Sequence, residues 1–189
     1  MILLIDNFDS FTYNLQNLLK LGKKEVLTIR YDRLDLEQIW KEDIKGIVIS
    51  PGPGRPSDYP LHKEIIGYAI ENGLPLLGVC LGFQSIGTYF GASLKKAVQP
   101  MHGKLSNIHL QNHLMYEGIH SPTTVTRYHS LILENLPNIL EATSQAENGE
   151  LMSFAHQNKA IWGIQFHPEA HLTTFGEQMI ENWNRLQSI

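Results

Sequence analysis

Five short, apolar, β-branched stretches constrain the fold of this chain more than any other feature. These stretches are residues 2–6, 25–31, 46–50, 75–80 and 160–166. Runs of this length and composition are typical of strands buried on both faces of a sheet. The segments between the first four, 10–22, 34–43 and 59–73, carry apolar residues at helical spacing. Strands that alternate with helices predict an α/β domain with a mostly parallel sheet.

The second half of the chain has a different texture. Between Leu94 and about Gln157 the pieces are shorter and alternate between apolar and polar residues, which predicts antiparallel strands at an edge of the main sheet or in a subsidiary one. Examples are KLSNIHL (104–110), TVTRYHS (124–130) and ELMSFAHQ (150–157). Residues 173–187 carry apolar side chains at four-residue steps and predict a closing helix. Since no repeat or linker is visible, we expect one domain over residues 1–189.

Composition excludes several classes of protein. The 189 residues carry 15 Lys and Arg against 19 Asp and Glu, a formal net charge of -4, so a nucleic-acid partner is not expected. No apolar run reaches membrane-spanning length, and the first residues, MILLID, lack the basic flank of a signal peptide. One cysteine cannot form an internal disulfide, which fits a reducing compartment. We therefore expect a cytoplasmic protein with no membrane partner.

The single cysteine lies in GVCLGFQSIG, residues 78–87, directly after a predicted strand. The pattern G-x-C-x-G resembles the sharp strand-to-helix turn that exposes a nucleophile and needs glycine on both sides. At the start of a helix, unpaired N–H groups stabilise an anion such as a thiolate. The same pattern equally fits a buried core cysteine, because unpaired cysteine is among the most buried residue types. A neighbouring base has to decide between the two.

The segment GIQFHPEA, residues 163–170, offers that base. Proline at 168 favours an extended backbone at His167, so His167 and Glu169 are expected to point to the same side, where the carboxylate can orient the imidazole. The remaining eight histidines are expected to be surface or structural: His62, His102, His109, His113, His120, His129, His156 and His171. They lack metal-ligand spacing with a second cysteine, so no metal site is expected.

The loop ISPGPGRP, residues 49–56, follows another predicted strand. Alternating Pro and Gly indicate a rigid loop whose backbone can approach a ligand closely and whose N–H groups could form an oxyanion hole. An ordinary turn explains the same residues, and the loop by itself favours that simpler interpretation. It matches neither of the glycine-rich phosphate-binding motifs.

Taken together, six motifs closely resemble the class I (triad) glutamine amidotransferases. The motifs are DNFDSFTYNL (6–15), SPGPG (50–54), GVCLGFQ (78–84), HGK (102–104), RYHSL (127–131) and QFHPEA (165–170). The first and fifth are similar to those of the glutaminase subunits of anthranilate synthase and aminodeoxychorismate synthase. The resemblance implies a three-layer, flavodoxin-like domain with a central mixed sheet flanked by helices and a small antiparallel sheet.

The resemblance also implies roles for individual residues. Cys80 would be the nucleophile that attacks L-glutamine, His167 the base and Glu169 its orienting group. The residues implied for glutamine binding and for the oxyanion are Gly52, Pro53, Gly54, Leu81, Gln84, Ser130 and Leu131. The partner implied is a chorismate-binding synthase subunit that receives the ammonia, with Mg²⁺ expected only on that partner and no cofactor in this chain.

Three departures from the family pattern are visible. One is the segment RPSDYP (55–60) after the proline-glycine loop, where the family usually has P-x-x-A-G. Phe83 stands where the family usually has His, so we expect a polar ring to be missing beside Gln84, and Ala170 stands where Ser is usual. Two alternatives stay open: a glutaminase unit of another amidotransferase pathway, and a noncatalytic regulatory module on the same fold. The N-terminal motif argues against the first alternative, and the intact set of Cys80, His167 and Glu169 argues against the second.

Overall fold

A computed structural model describes residues 1–186. The strands are β1 Ile2–Asp6, β2 Val26–Arg30, β3 Gly46–Ile49, β4 Leu76–Val79, β5 Ser93–Lys96, β6 Lys104–Leu110, β7 Thr123–Arg127, β8 Leu131–Glu134, β9 Leu140–Ala146, β10 Leu151–His156 and β11 Ile161–Ile164. The helices are α1 Thr12–Leu21, α2 Leu36–Ile39, α3 Leu61–Glu71, α4 Leu81–Tyr89 and α5 Gly176–Arg185. Gln187, the last residue of the predicted closing helix, lies outside the described residues.

Among the described residues, nine strands form the main sheet, in the order β2-β1-β3-β4-β11-β10-β9-β6-β7. The first five are mutually parallel, while β10, β9, β6 and β7 extend the sheet by antiparallel pairing. Strands β5 and β8 form a separate antiparallel pair. The predicted mixed sheet with a small antiparallel sheet is therefore confirmed, and the antiparallel pieces of the second half serve both as sheet edge and as subsidiary sheet.

Helices cover both faces of the parallel strands. On one face, α1 and α5 pack Leu15, Leu19 and Trp183 against the inner side chains of β1 and β4. On the other face, α2, α3 and α4 bury a second apolar layer that includes Ile65 and Phe83. These two layers bury both faces of β1, β3, β4 and β11, which explains why their sequences read as continuous apolar runs, whereas the edge strand β2 is only half-buried.

The parallel strands bring four loops to one edge of the sheet. The carboxyl ends of β1, β3, β4 and β11 lie at the same edge because adjacent strands pair in parallel register, with Ile164 opposite Val79. Ligands of open α/β sheets bind at this edge. The segments that leave it contain Asn7, the SPGPG loop, Cys80 and His167.

Candidate active site

Cys80 occupies a sharp turn between β4 and α4. Its backbone has φ 51° and ψ −96°, in the left-handed half of conformational space that residues with a side chain rarely enter. Its N–H donates to the Ile164 carbonyl at 2.8 Å, and its own carbonyl accepts the first helical hydrogen bond of α4, from Gln84 at 3.0 Å. The predicted strand–turn–helix geometry around the thiol is present in the structure.

The two flanking glycines are required by close backbone approach. A Cβ on Gly78 would overlap the backbone of Gly82, and a Cβ on Gly82 would overlap the carbonyl oxygen of Ile49 on the neighbouring strand. Backbone atoms cannot move aside as a flexible side chain can, so neither position accepts alanine without displacing the turn. The glycines thus hold α4 against β3 and fix where the thiol points.

We expect Gly82→Ala to lower the free energy of unfolding by about 2–3 kcal/mol, the usual cost of overpacking a close contact. The matched control is Gly67→Ala, also inside a helix, where the added Cβ meets only the Tyr89 hydroxyl at 3.7 Å. That control should be neutral or stabilising by up to about 1 kcal/mol, since alanine favours helix over glycine. Urea unfolding measures both. Equal stability of the two variants would contradict the steric explanation.

His167 and Glu169 lie beside each other just beyond β11. The His167 Nδ1 and the Glu169 Oε1 are 2.6 Å apart, and both side chains are almost completely buried. The backbone here is held by the Thr173 hydroxyl, which donates to the His167 carbonyl at 2.6 Å, and by the His167 N–H, which donates to Thr126 at 3.0 Å. The structure therefore places the two side chains on the same side, with the carboxylate orienting the imidazole.

The charge state of His167 follows from these neighbours. Burial lowers the pKa of His167, but the Glu169 carboxylate and the Cys80 side chain raise it more, so its pKa lies well above 6.5. The buried Nε2 atom makes no hydrogen bond of regular geometry to any residue within 1–186. A loose contact between nucleophile and base is common before substrate binds. The geometry suits a thiol that gives its proton to the imidazole.

Gln165 is the residue of this site that the sequence analysis missed. Its side chain is fully buried and donates from Nε2 to the Cys80 sulfur at 3.6 Å. Its Oε1 accepts a hydrogen bond from Gln84 at 3.2 Å. Gln165 lies two residues before His167 in the QFHPEA motif, and a polar side chain directly after a buried strand was the signal that could have indicated it.

The SPGPG loop is held in place by residues just after β1 and just before α3. The Asn7 amide donates to the Ser50 carbonyl at 2.9 Å, and the Tyr59 hydroxyl donates to the Pro53 carbonyl at 3.1 Å. Gly54 has φ 76°, and a Cβ on Gly52 would lie 2.6 Å from the Asn7 carbonyl oxygen. The loop is rigid, and it follows β3, the strand next to β4, which ends at Cys80.

Gln84 and Leu131 meet at the same site. The Gln84 Nε2 donates to the Leu131 carbonyl at 3.2 Å, and Ser130 precedes it on a partly exposed stretch of backbone. The Leu131 carbonyl is also 3.0 Å from the His129 Nδ1. The structure thus brings Gln84 and Leu131 into contact, with Ser130 adjacent in the chain, while their role in glutamine binding stays a prediction.

A series of buried polar side chains supports the Leu131 carbonyl. The Arg127 Nε donates to the His129 Nε2 at 3.0 Å, and Arg127 forms a buried ion pair with Glu150. Burial and the neighbouring Arg127 lower the pKa of His129 to about 3, so the ring is neutral and its Nδ1–H donates to the Leu131 carbonyl. His129 is accordingly structural, as expected for an isolated histidine.

His62 is another buried histidine. Its Nε2 is 2.9 Å from the Asn7 Oδ1 and its Nδ1 is 2.9 Å from the Ser85 hydroxyl. Burial lowers the pKa of His62 to about 4. The neutral ring therefore ties α3 and α4 to the residue that holds the SPGPG loop. Within residues 1–186, no group of three or more His, Cys, Asp or Glu side chains is arranged to hold a metal ion.

Comparison with known proteins decides the family. The model of the class I glutamine amidotransferases matches residues 3–185. The chain belongs to this family. It is 46% identical to anthranilate synthase component 2 of Cyanophora paradoxa, and the match covers 97% of both chains. It is 42% identical to the aminodeoxychorismate/anthranilate synthase component 2 of Bacillus subtilis, over 97% of this chain and 95% of that one.

The fold of this amidotransferase is similar to that of solved structures. A Thermoplasma acidophilum protein described as a GMP synthase subunit superimposes with a TM-score of 0.87, covering 99% of this chain and 93% of that chain. At 24% identity that likeness concerns the fold alone. In this amidotransferase, no helix among the described residues has both the length and the apolar character needed to cross a membrane.

Phe83, one of the departures from the family pattern, lies in the apolar core. Its ring is fully buried and stacks on Phe154 with centroids 4.9 Å apart, in the core layer between α4 and the sheet. The helix directs consecutive side chains to different sides, so Phe83 faces the core while Gln84 faces Leu131. In this amidotransferase the position that usually carries a polar ring thus makes an apolar core contact, and the effect of Phe83 on glutamine affinity stays a prediction.

Proposed function

We propose that this chain is the glutaminase subunit of a chorismate-using synthase, either anthranilate synthase or aminodeoxychorismate synthase. It would hydrolyse L-glutamine at Cys80 and pass ammonia to the synthase subunit. The observation that carries the proposal is the buried pair of His167 and Glu169 beside a cysteine in a glycine-flanked turn. The names of the two component 2 relatives support the pathway.

The chemistry runs through a thioester. His167 takes the proton of the Cys80 thiol, the sulfur attacks the side-chain carbonyl of glutamine, and the imidazolium returns the proton to the departing ammonia. Water, deprotonated by the same imidazole, then attacks the thioester and releases glutamate. Glu169 fixes the tautomer of His167 and stabilises its charged form in both halves of the reaction.

Backbone donors near the sulfur would stabilise the oxyanion of each tetrahedral intermediate. Leu81 is the first residue of α4, so its N–H has no acceptor inside the helix. Gly52, in the rigid loop, would supply the second donor, with Pro53 and Gly54 completing the wall of the glutamine site. Such preorganised donors supply a large part of the rate enhancement in acyl transfer.

Gln84, Ser130 and Leu131 would hold the amino-acid end of glutamine. Both N–H groups of the Gln84 amide are used by Leu131 and Gln165, which leaves its oxygen to accept from the substrate ammonium. We propose that this half-reaction needs no cofactor in this chain, because a thiol, an imidazole and backbone donors supply every proton and charge it requires. Any Mg²⁺ would belong to the synthase subunit.

We further propose that the partner docks on the MHGKL segment, residues 101–105, and on the SPGPG loop. Residues 102–105 of that segment are exposed, and backbone hydrogen bonds from Met101 to His129 and from Gly103 to Arg127 tie it to the strand that leads to Ser130. A partner that presses on this segment acts on the glutamine-binding backbone through these bonds. Through this docking surface, binding of the partner would influence the glutamine site around Cys80.

The test compares glutamate release by the purified chain alone, with its synthase partner, and with partner plus chorismate. We expect the isolated chain to be slower by about a hundredfold or more, the usual cost of one missing oxyanion donor. Anthranilate or aminodeoxychorismate as the product identifies the pathway. Full glutaminase activity without the partner would contradict the coupling, and no glutamate release in any mixture would contradict the function itself.

A further inference from the structure

Gln165 has a position that the glutaminase reaction outlined above does not explain. Its side chain is completely buried at the carboxyl end of the parallel sheet, next to Cys80 across the β4–β11 pair. A buried amide is costly unless its donors and acceptor find partners. An apolar residue would fill this position without that cost, so the buried amide of Gln165 indicates a functional role.

The partners of the Gln165 amide are all parts of the proposed site. Nε2 donates to the Cys80 sulfur at 3.6 Å, and Oε1 accepts from the Gln84 Nε2 at 3.2 Å. Because Gln84 supplies a donor, the oxygen of Gln165 must face Gln84, and its N–H groups must face the sulfur. Gln84 is fixed in turn by the Leu131 carbonyl at 3.2 Å. The network therefore sets the orientation of the Gln165 amide.

We propose that Gln165 is a positioning residue that stabilises and aims the Cys80 thiolate; this inference rests on the proposed glutaminase function. A neutral thiol is a weak hydrogen-bond acceptor, whereas a thiolate is charged and accepts strongly. The N–H of Gln165 thus stabilises the ionised sulfur more than the neutral one. It also holds the Cys80 sulfur at the N-terminal end of α4 while the thiol proton moves to His167.

The test is alkylation of the purified chain by iodoacetamide between pH 5 and pH 9. Cys80 is the only cysteine, so the label reports this thiol alone. Gln165→Met removes the donor and keeps the length of the side chain. We expect the midpoint of the rate–pH profile to rise by about one pH unit, a tenfold loss of thiolate below the midpoint, as befits a hydrogen bond to a charged group.

The matched control is Gln145→Met, the same change at an exposed position on β9, which should leave the profile unchanged. Gln165→Asn, too short to reach both partners, should shift the midpoint in the same direction as Gln165→Met and covers the case in which that variant fails to fold. Circular dichroism establishes folding. Folded Gln165 variants with the wild-type profile, or an equal shift in Gln145→Met, would overturn the proposal.

A kinetic measurement on the complex with the synthase partner separates positioning from substrate binding. Gln165→Met should lower kcat for glutamate release about tenfold while KM changes little, since the lost interaction is with the nucleophile. A rise in KM at unchanged kcat would contradict the positioning role. If the wild-type complex releases no glutamate, the proposed function fails, and the alkylation profile still decides the role of Gln165.

Discussion

Replacing Cys80 by serine should abolish glutamine-dependent synthesis by the complex while leaving ammonia-dependent synthesis intact. A serine hydroxyl holds its proton far more tightly than a thiol. The His167 imidazole, which can deprotonate the Cys80 thiol, is therefore too weak a base to deprotonate a serine hydroxyl at the same position. We expect glutamate release to fall by about ten-thousandfold or more, the usual effect of removing a triad member. The measurement is glutamate release and product formation with glutamine or with ammonium as nitrogen source.

Ammonia-dependent synthesis provides the internal control for Cys80→Ser. It requires a folded synthase subunit, but it bypasses the thioester. Loss of both activities would indicate a disrupted complex, in which case circular dichroism and co-purification of the two chains separate misfolding from loss of chemistry. Retained glutamine-dependent turnover in a folded complex would exclude Cys80 as the nucleophile.

Removing the imidazole should have the second largest effect. We expect His167→Ala to reduce glutamate release by about a thousandfold to ten-thousandfold, because His167 is the base that interacts with the Cys80 thiol. Glu169→Gln should cost less, about a hundredfold, since the amide oxygen can still accept from Nδ1 although the negative charge is gone. Turnover measured at saturating glutamine orders the two variants.

The pKa of His167 gives Glu169→Gln a second readout. Burial lowers the pKa of His167, and the Glu169 carboxylate raises it. When the carboxylate is replaced by a neutral amide, the effect of burial remains and the pKa of His167 falls. The imidazole should therefore lose its proton at a lower pH in an NMR titration of Glu169→Gln than in the wild type.

The matched control is Glu181→Gln, a mostly exposed carboxylate on α5. It should change neither turnover nor the titration. Equal and complete loss of activity in Glu169→Gln and His167→Ala would give Glu169 a role beyond orienting the imidazole.

The strands were readable from sequence because burial on both faces leaves an unbroken apolar run. The run at 2–6 corresponds to β1 without error, and 104–110 corresponds to β6. The weaker elements were harder: the predicted helix at 34–43 contains only the four-residue α2, preceded by a 3₁₀ turn. Strands β5, β8 and β9 carry mixed, partly exposed patterns, and long-range pairing rather than local preference places them.

The candidate site also has parts that the local sequence indicates and parts that only the fold shows. Cys80 and its two glycines form a local turn, and His167 with Glu169 form a local pair, so spacing along the chain was enough to indicate each of them. That both belong to one site depends on β4 and β11 lying side by side, although more than 80 residues separate Cys80 from Gln165. No local pattern contains that information.

The sequence by itself determined the alternation of strand and helix, the strained turn that presents the thiol, and the pairing of base with carboxylate, because each depends on neighbours a few residues apart. Only the tertiary structure decided which buried polar groups meet: Gln165 with the Cys80 sulfur, Gln84 with Leu131, and Arg127 with His129 and Glu150. A polar side chain becomes part of a network only when burial removes water as its partner, and burial is a property of the whole fold.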